Sequence, residues 1–186
     1  MSKKLEYYKQ YVGEKELKKL LSRFDATKFC DTWNQVMTSR STIFLGSGGS
    51  EYSSVTATYS ALPKSSAISV LNKCYDEKHN PKFIQGVSRC VDSEIPTCRT
   101  VFFPSVGATG DYWILYMSKN KRCCIICCPL IIPYTSIKLL DNLALYVLAK
   151  DRNEFWADKK LVDEIYDVLR KYKFDSFINE PIYSGV

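Results

Sequence analysis

The segment Tyr112-Trp-Ile-Leu-Tyr-Met117-Ser-Lys-Asn-Lys-Arg122-Cys-Cys-Ile-Ile-Cys-Cys128 divides the fold possibilities. Its second half, Cys123 to Cys128, is a short apolar run in which thiols act as small hydrophobes, and it reads as a buried strand. Ser118 to Arg122 is a polar break. Tyr112 to Met117 has two readings. As a helix it gives strand, turn, helix, strand, which implies a parallel sheet. As a strand it forms a hairpin with Cys123–Cys128, turning at Lys119 and Asn120, and the sheet is antiparallel or mixed.

Upstream, Arg99-Thr-Val-Phe-Phe-Pro104 reads as a strand that ends in a glycine-hydroxyl turn, Ser105-Val-Gly-Ala-Thr-Gly-Asp111. A similar arrangement occurs earlier. Ile43, Phe44 and Leu45 form a short apolar run, followed by Gly46, Ser47, Gly48, Gly49 and Ser50, and then by apolar or small residues at Val55, Ala57, Tyr59 and Ala61. A strand, a glycine-serine turn and a helix make an anion site, because glycine admits close backbone approach and a helix N-terminus presents unpaired N–H groups. Ser53 to Ser60 also alternates as the second strand of a hairpin would, with the glycines then a surface turn. The loop is neither a Walker sequence nor the dinucleotide fingerprint.

Further out, residues 2–24 read as helix with a break at Gly13 and a stripe of Leu17, Leu20, Leu21 and Phe24. A second helix is expected from Asp25 to Met37, capped by Asp25 or Thr27, with Phe29, Trp33, Val36 and Met37 as its apolar face. Ala67 to Tyr75 is open between strand and helix, Asp76 to Pro81 is a polar turn, and Phe83 to Val91 reads as a short helix. Thr135 to Ala149 is expected to be helical, and a last helix starts at Asn153 or Asp158 and ends near Lys171. The tail, 174–186, reads as irregular. Residues 1–186 form a single domain with N-terminal helices over 2–37.

The chain has 186 residues, 46% of them hydrophobic and 25% charged, with 13 tyrosines, which is the composition of a folded domain rather than a disordered one. Its net charge is a modest +6, the lysines near the chain ends are mixed with acids at helical spacing, and no basic-aromatic module is recognisable, so nucleic acid is not an expected partner. Met1 to Val12 is polar, and the run around Cys123 to Ile132 is short and interrupted by Pro129. Eight free thiols in a cytoplasmic protein, without a membrane segment, are therefore expected. Ile125 and Ile126 within the Cys-x-x-Cys pair favour a buried strand, and neither metal nor cofactor is expected.

The two glycine-hydroxyl turns together resemble the sugar-isomerase (SIS) domain family, in which two such loops hold the phosphate of a phosphosugar. That resemblance implies a three-layer α/β fold of the SIS or flavodoxin-like kind, with a mainly parallel sheet and helices on both faces. It implies ligand contacts from Gly46, Ser47, Gly48, Gly49 and Ser50 in the first loop and from Ser105, Gly107 and Thr109 in the second. Pro104 and Val106 stand where the family has serines. Glu51 and His79 are the candidate acid–base groups. The resulting expectation is a phosphosugar-binding domain, either a sugar-phosphate isomerase or a catalytically inactive relative, with homo-oligomerisation as a further expectation. The alternative is an α+β fold with an antiparallel hairpin at 112–128 that serves as a non-enzymatic protein–protein interaction module.

Overall fold

The computed structural model describes residues 3–39, 53–129, 143–174 and 178–179. Both halves of the 112–128 segment are strands. β1 (Thr32–Ser39), β2 (Ser53–Ala61), β3 (Ile68–Tyr75), β4 (Pro81–Cys90), β5 (Cys98–Phe103), β6 (Ala108–Met117), β7 (Cys123–Pro129) and β8 (Leu143–Ala149) are joined by a short β9 (Ile178–Asn179). From β2 to β8 each strand pairs antiparallel with the next in the chain. β1 pairs with β2 through Thr32↔Thr58 to Asn34↔Thr56, and with β8 through Asn34↔Ala149 to Thr38↔Tyr146. The sheet therefore closes on itself as an eight-stranded antiparallel barrel. β9 adds to β1 at Thr38 and Ser39.

This closure overturns the expected three-layer α/β fold with a mainly parallel sheet. The α+β alternative fails too. Its hairpin at 112–128 exists as β6 and β7, but as one step of a closed wall. The local errors share a cause: β7 is buried on both faces, with Cys124 and Ile126 inside the barrel and Cys123, Ile125 and Cys127 outside it under helices. A strand covered on both sides shows a continuous apolar run instead of alternation, and periodicity cannot separate it from a helix.

Five helices accompany the barrel among the described residues: α1 (Lys3–Val12), α2 (Glu14–Arg23), α3 (Ala26–Phe29), α4 (Arg152–Ala157) and α5 (Lys159–Lys171). Gly13, at φ 82°, separates α1 from α2 in a backbone conformation that glycine adopts without cost. The expected helix over 25–37 shrinks to α3. The Asp25 carboxylate caps it, accepting from the N–H groups of Thr27 and Lys28 at 3.0 and 3.3 Å. Phe83–Val91 is strand rather than helix through Cys90, and 143–149 is strand where helix was expected. Residues 130–142 lie outside the described residues, as do Ile43 to Leu45. Asp151 and Asp158 cap α4 and α5.

The helices cover one side of the barrel. Leu5, Tyr8, Val12 and Leu17 of α1 and α2, with Phe155 of α4 and Ile165 and Leu169 of α5, are buried with the outward residues of β6, β7, β8 and β1. The Tyr8 hydroxyl donates to the Ile114 carbonyl at 2.8 Å and meets the Thr97 hydroxyl at 2.9 Å. Lys4 Nζ reaches the mostly buried Asp111 carboxylate at 2.9 Å. Phe174 is buried in the same cluster. On the outer face of β3 and β4, Phe83 is 75% exposed.

Candidate functional site

Strand direction gives the barrel two unlike ends. At one end lie the start of β1, the end of β2, the start of β3, the end of β8 and the short helix α3. Trp33, fully buried, fills the barrel there. Its indole N–H donates to the Phe29 carbonyl at 2.9 Å, and the Phe29 ring lies tilted against Tyr59 with ring centroids 4.5 Å apart. Lys150, at the end of β8, sets its ammonium 3.9 Å from the centre of the Trp33 ring. The same ammonium donates to Asp31 Oδ2 at 2.7 Å and to the Lys28 carbonyl at 3.2 Å. A cation fixed over an indole, held by a carboxylate beside it, seals this end.

Above that seal sits Arg99, only 1% exposed. It opposes Tyr112 across β5 and β6 and Cys90 across β4 and β5, so it points into the barrel. Its guanidinium donates to Ser88 Oγ, Cys90 Sγ and the carbonyls of Pro96, Ser66 and Ser88, at 2.8 to 3.2 Å. These bonds tie the β2–β3 and β4–β5 connections to the wall. Among the described residues no carboxylate meets this guanidinium, and burial pulls its pKa below the ordinary arginine value. Beside it the hydroxyls of Tyr59 and Tyr112 hydrogen-bond to each other. Burial raises the pKa of both, so they remain protonated phenols.

Toward the opposite end the inward positions change character. Register places Asn72, Cys74, Ile84, Phe103, Cys128 and Tyr146 on the inner face, and each is half-buried where the inward residues below are buried. Gly110 opposes Val101, an inner-face residue, and a Cβ built on Gly110 would meet no atom of the described residues within 4 Å. Among the described residues nothing fills the space inside the wall there, one pleat above Tyr112. Gly86 does the opposite. A Cβ there would come within 2.7 Å of the Phe102 carbonyl and the Phe103 ring, so the missing side chain is what lets that ring lie across β4. Burial also pushes the Cys128 thiol up to about 12, which leaves it a neutral lining group.

Of the residues singled out in the sequence, Gly46, Ser47, Gly48, Gly49, Ser50 and Glu51 lie outside the described residues. Ser105 and Gly107 belong to the exposed turn between β5 and β6, at the open end, with Gly107 at φ 61°. Thr109 is exposed and opposes Phe102, which places its side chain on the outer wall. His79 sits exposed in the β3–β4 turn, its N–H donating to the Asp76 carbonyl at 2.9 Å. Ser105, Gly107, Thr109 and His79 are thus exposed on turns and outer wall rather than gathered inside the barrel. Arg99, Tyr112, Gly110 and Phe103 were not singled out as site residues. The signal that could have marked them was the alternation of Arg99, Val101 and Phe103 against Cys98, Thr100 and Phe102. Among the described residues no group of three or more His, Cys, Asp or Glu could hold a metal ion.

Comparison with known proteins agrees with this geometry. A family model described as a lipocalin-like domain matches residues 24–130. Lobster apocrustacyanin A1 superimposes with a TM-score of 0.66 at 9% identity, covering 94% of this chain and 89% of that one. Insecticyanin from the tobacco hornworm Manduca sexta gives 0.60 at 14% identity, covering 87% and 82%. No curated protein sequence matches the chain. These findings overturn the resemblance to the sugar-isomerase family, and with it the reading of a phosphosugar-binding domain or isomerase and of a phosphorylated small molecule as partner. The physical reason lies in the topology. The expected cradle needs a helix N-terminus after a parallel strand, and here β5 runs through a turn into an antiparallel strand. The non-enzymatic alternative stands nearer to what is found.

Proposed function

The chain belongs to the lipocalin-like domain family, and from that premise we propose that it binds a small hydrophobic ligand in the open half of its barrel. The family binds small hydrophobic ligands. The observation that carries the proposal to this chain is the space against Gly110, unfilled by any described residue, within a wall whose neighbours are apolar or neutral.

The physics is that of transfer from water. Each buried methylene of a ligand contributes about 0.8 kcal/mol, and a rigid closed barrel loses little entropy in accepting it. Phe103, Ile84 and Tyr146 supply apolar contact, and Asn72 supplies a polar group for orientation. The sealed end keeps the cavity from becoming a channel. No proton transfer or bond breaking is invoked; the activity is binding.

Titration with N-phenyl-1-naphthylamine, whose fluorescence rises in apolar surroundings, tests this. The expected result is saturable enhancement at one probe per chain, competed by aliphatic ligands. Enhancement that is absent, or that rises without saturation, would contradict the proposal.

A further inference from the structure

We infer that the buried Tyr59–Tyr112 hydroxyl pair, beside the carboxylate-free Arg99, forms a subsite for the carboxylate end of an elongated apolar ligand. This rests on the proposed binding of a hydrophobic ligand in the barrel and names the class of that ligand.

Two phenol hydroxyls carry two protons. Their mutual hydrogen bond uses one. The other has no acceptor among the described residues, although Tyr59 and Tyr112 are 2% and 5% exposed. A buried donor without an acceptor is costly, and a ligand oxygen would relieve it. Tyr112 is the next inward residue below Gly110, where the open space lies, so a guest that fills this space reaches the pair end-on.

The charge of the floor selects among acceptors. Arg99 lies directly across β5 and β6 from Tyr112, and neutral acceptors hold it: three carbonyls, one hydroxyl and one thiol. Its positive charge is thus unmatched by any described carboxylate, inside a wall of low polarity where charge is weakly screened. Asp111 does not supply the match, because it points outward and pairs with Lys4. An anionic end group gains from both the free proton and the unmatched charge. A ketone or an alcohol gains only from the first.

The test compares cis-parinaric acid with its methyl ester by fluorescence titration at neutral pH, in the wild type and in a Tyr59→Phe/Tyr112→Phe double variant. The acid is expected to bind ~10-fold more tightly than the ester, and the double variant to bring the ratio close to one while circular dichroism stays unchanged. Equal binding of acid and ester by the wild type would overturn the inference while leaving the hydrophobic site intact. A preference that survives loss of both hydroxyls would also overturn it. If neither probe nor N-phenyl-1-naphthylamine binds, the underlying site falls with it.

Discussion

The two ends of the barrel share strands, register and alternation, yet they differ in what fills them. At the sealed end Trp33, Phe29 and Tyr59 pack ring against ring, and Lys150 and Arg99 hold the connections with hydrogen bonds. At the open end the inward side chains are half-buried and Gly110 faces space that no described residue fills. The comparison teaches that one closed sheet can separate two tasks. Stability is concentrated where side chains meet, and binding where they leave a gap, as expected when functional sites are drawn from less tightly packed parts of a structure.

The separation predicts graded effects. Trp33→Ala should cost the most, about 3–5 kcal/mol in urea unfolding, because it opens a cavity, removes the ring under Lys150 and leaves the Phe29 carbonyl without its donor. Probe affinity of the fraction that stays folded should change little. A small loss of stability would break the contrast between the ends.

Gly86→Ala should cost less, about 1–3 kcal/mol, since the new methyl would meet backbone and ring at 2.7 Å. Here stability and probe affinity should fall together, because the displaced Phe103 ring lines the open half. A change in stability alone would remove Phe103 from the site.

Asp25 gives the smallest effect and concerns only the sealed end. Hydrogen bonds from Thr27 and Lys28, with Lys121 nearby, lower its pKa from 3.8 to about 2. A folded-state value below the unfolded one contributes stability that is complete above pH 4 or so and is lost as pH falls toward 2. Asp25→Ala should therefore lower the urea midpoint at pH 7, and the difference from wild type should shrink between about pH 4 and pH 2, with no effect on binding at neutral pH. A difference that stays constant across that range would contradict the assigned cap.

Several elements were legible in the chain. Gly13 marks the break between α1 and α2, Asp25 and Asp158 mark helix starts, and Cys123–Cys128 is strand. What was not legible has identifiable causes. Phe29, Trp33, Val36 and Met37 fall at helical spacing, but Phe29 ends α3, and in β1 the register shift between Gln35 and Met37 puts Val36 and Met37 together on the helix-covered face opposite Trp33. In β8, Leu145, Val147 and Ala149 face the helices while Tyr146 and Leu148 face the interior, so no residue type distinguishes the two sides. The closure of β1 onto β2 and β8 joins Thr32 to Thr58 and Asn34 to Ala149, and no local pattern encodes such pairings. The site was partly visible. Ala57 and Tyr59 alternate as a strand requires, but the same residues read equally well as a helix. Gly110 was read as part of a turn, and Arg99 as an ordinary strand residue, because a cavity and a buried guanidinium arise only when distant strands meet.

The most direct measurement is the affinity of N-phenyl-1-naphthylamine for Gly110→Leu, set beside Phe83→Ser on the outer wall. Leucine at an unhindered strand position should leave the unfolding midpoint unchanged or higher, and it should weaken the probe at least ~10-fold by occupying the open space. Phe83→Ser, which removes the most exposed aromatic of the outer wall, should leave the affinity unchanged. Undiminished binding in Gly110→Leu together with loss in Phe83→Ser would place the ligand outside the barrel and contradict the account.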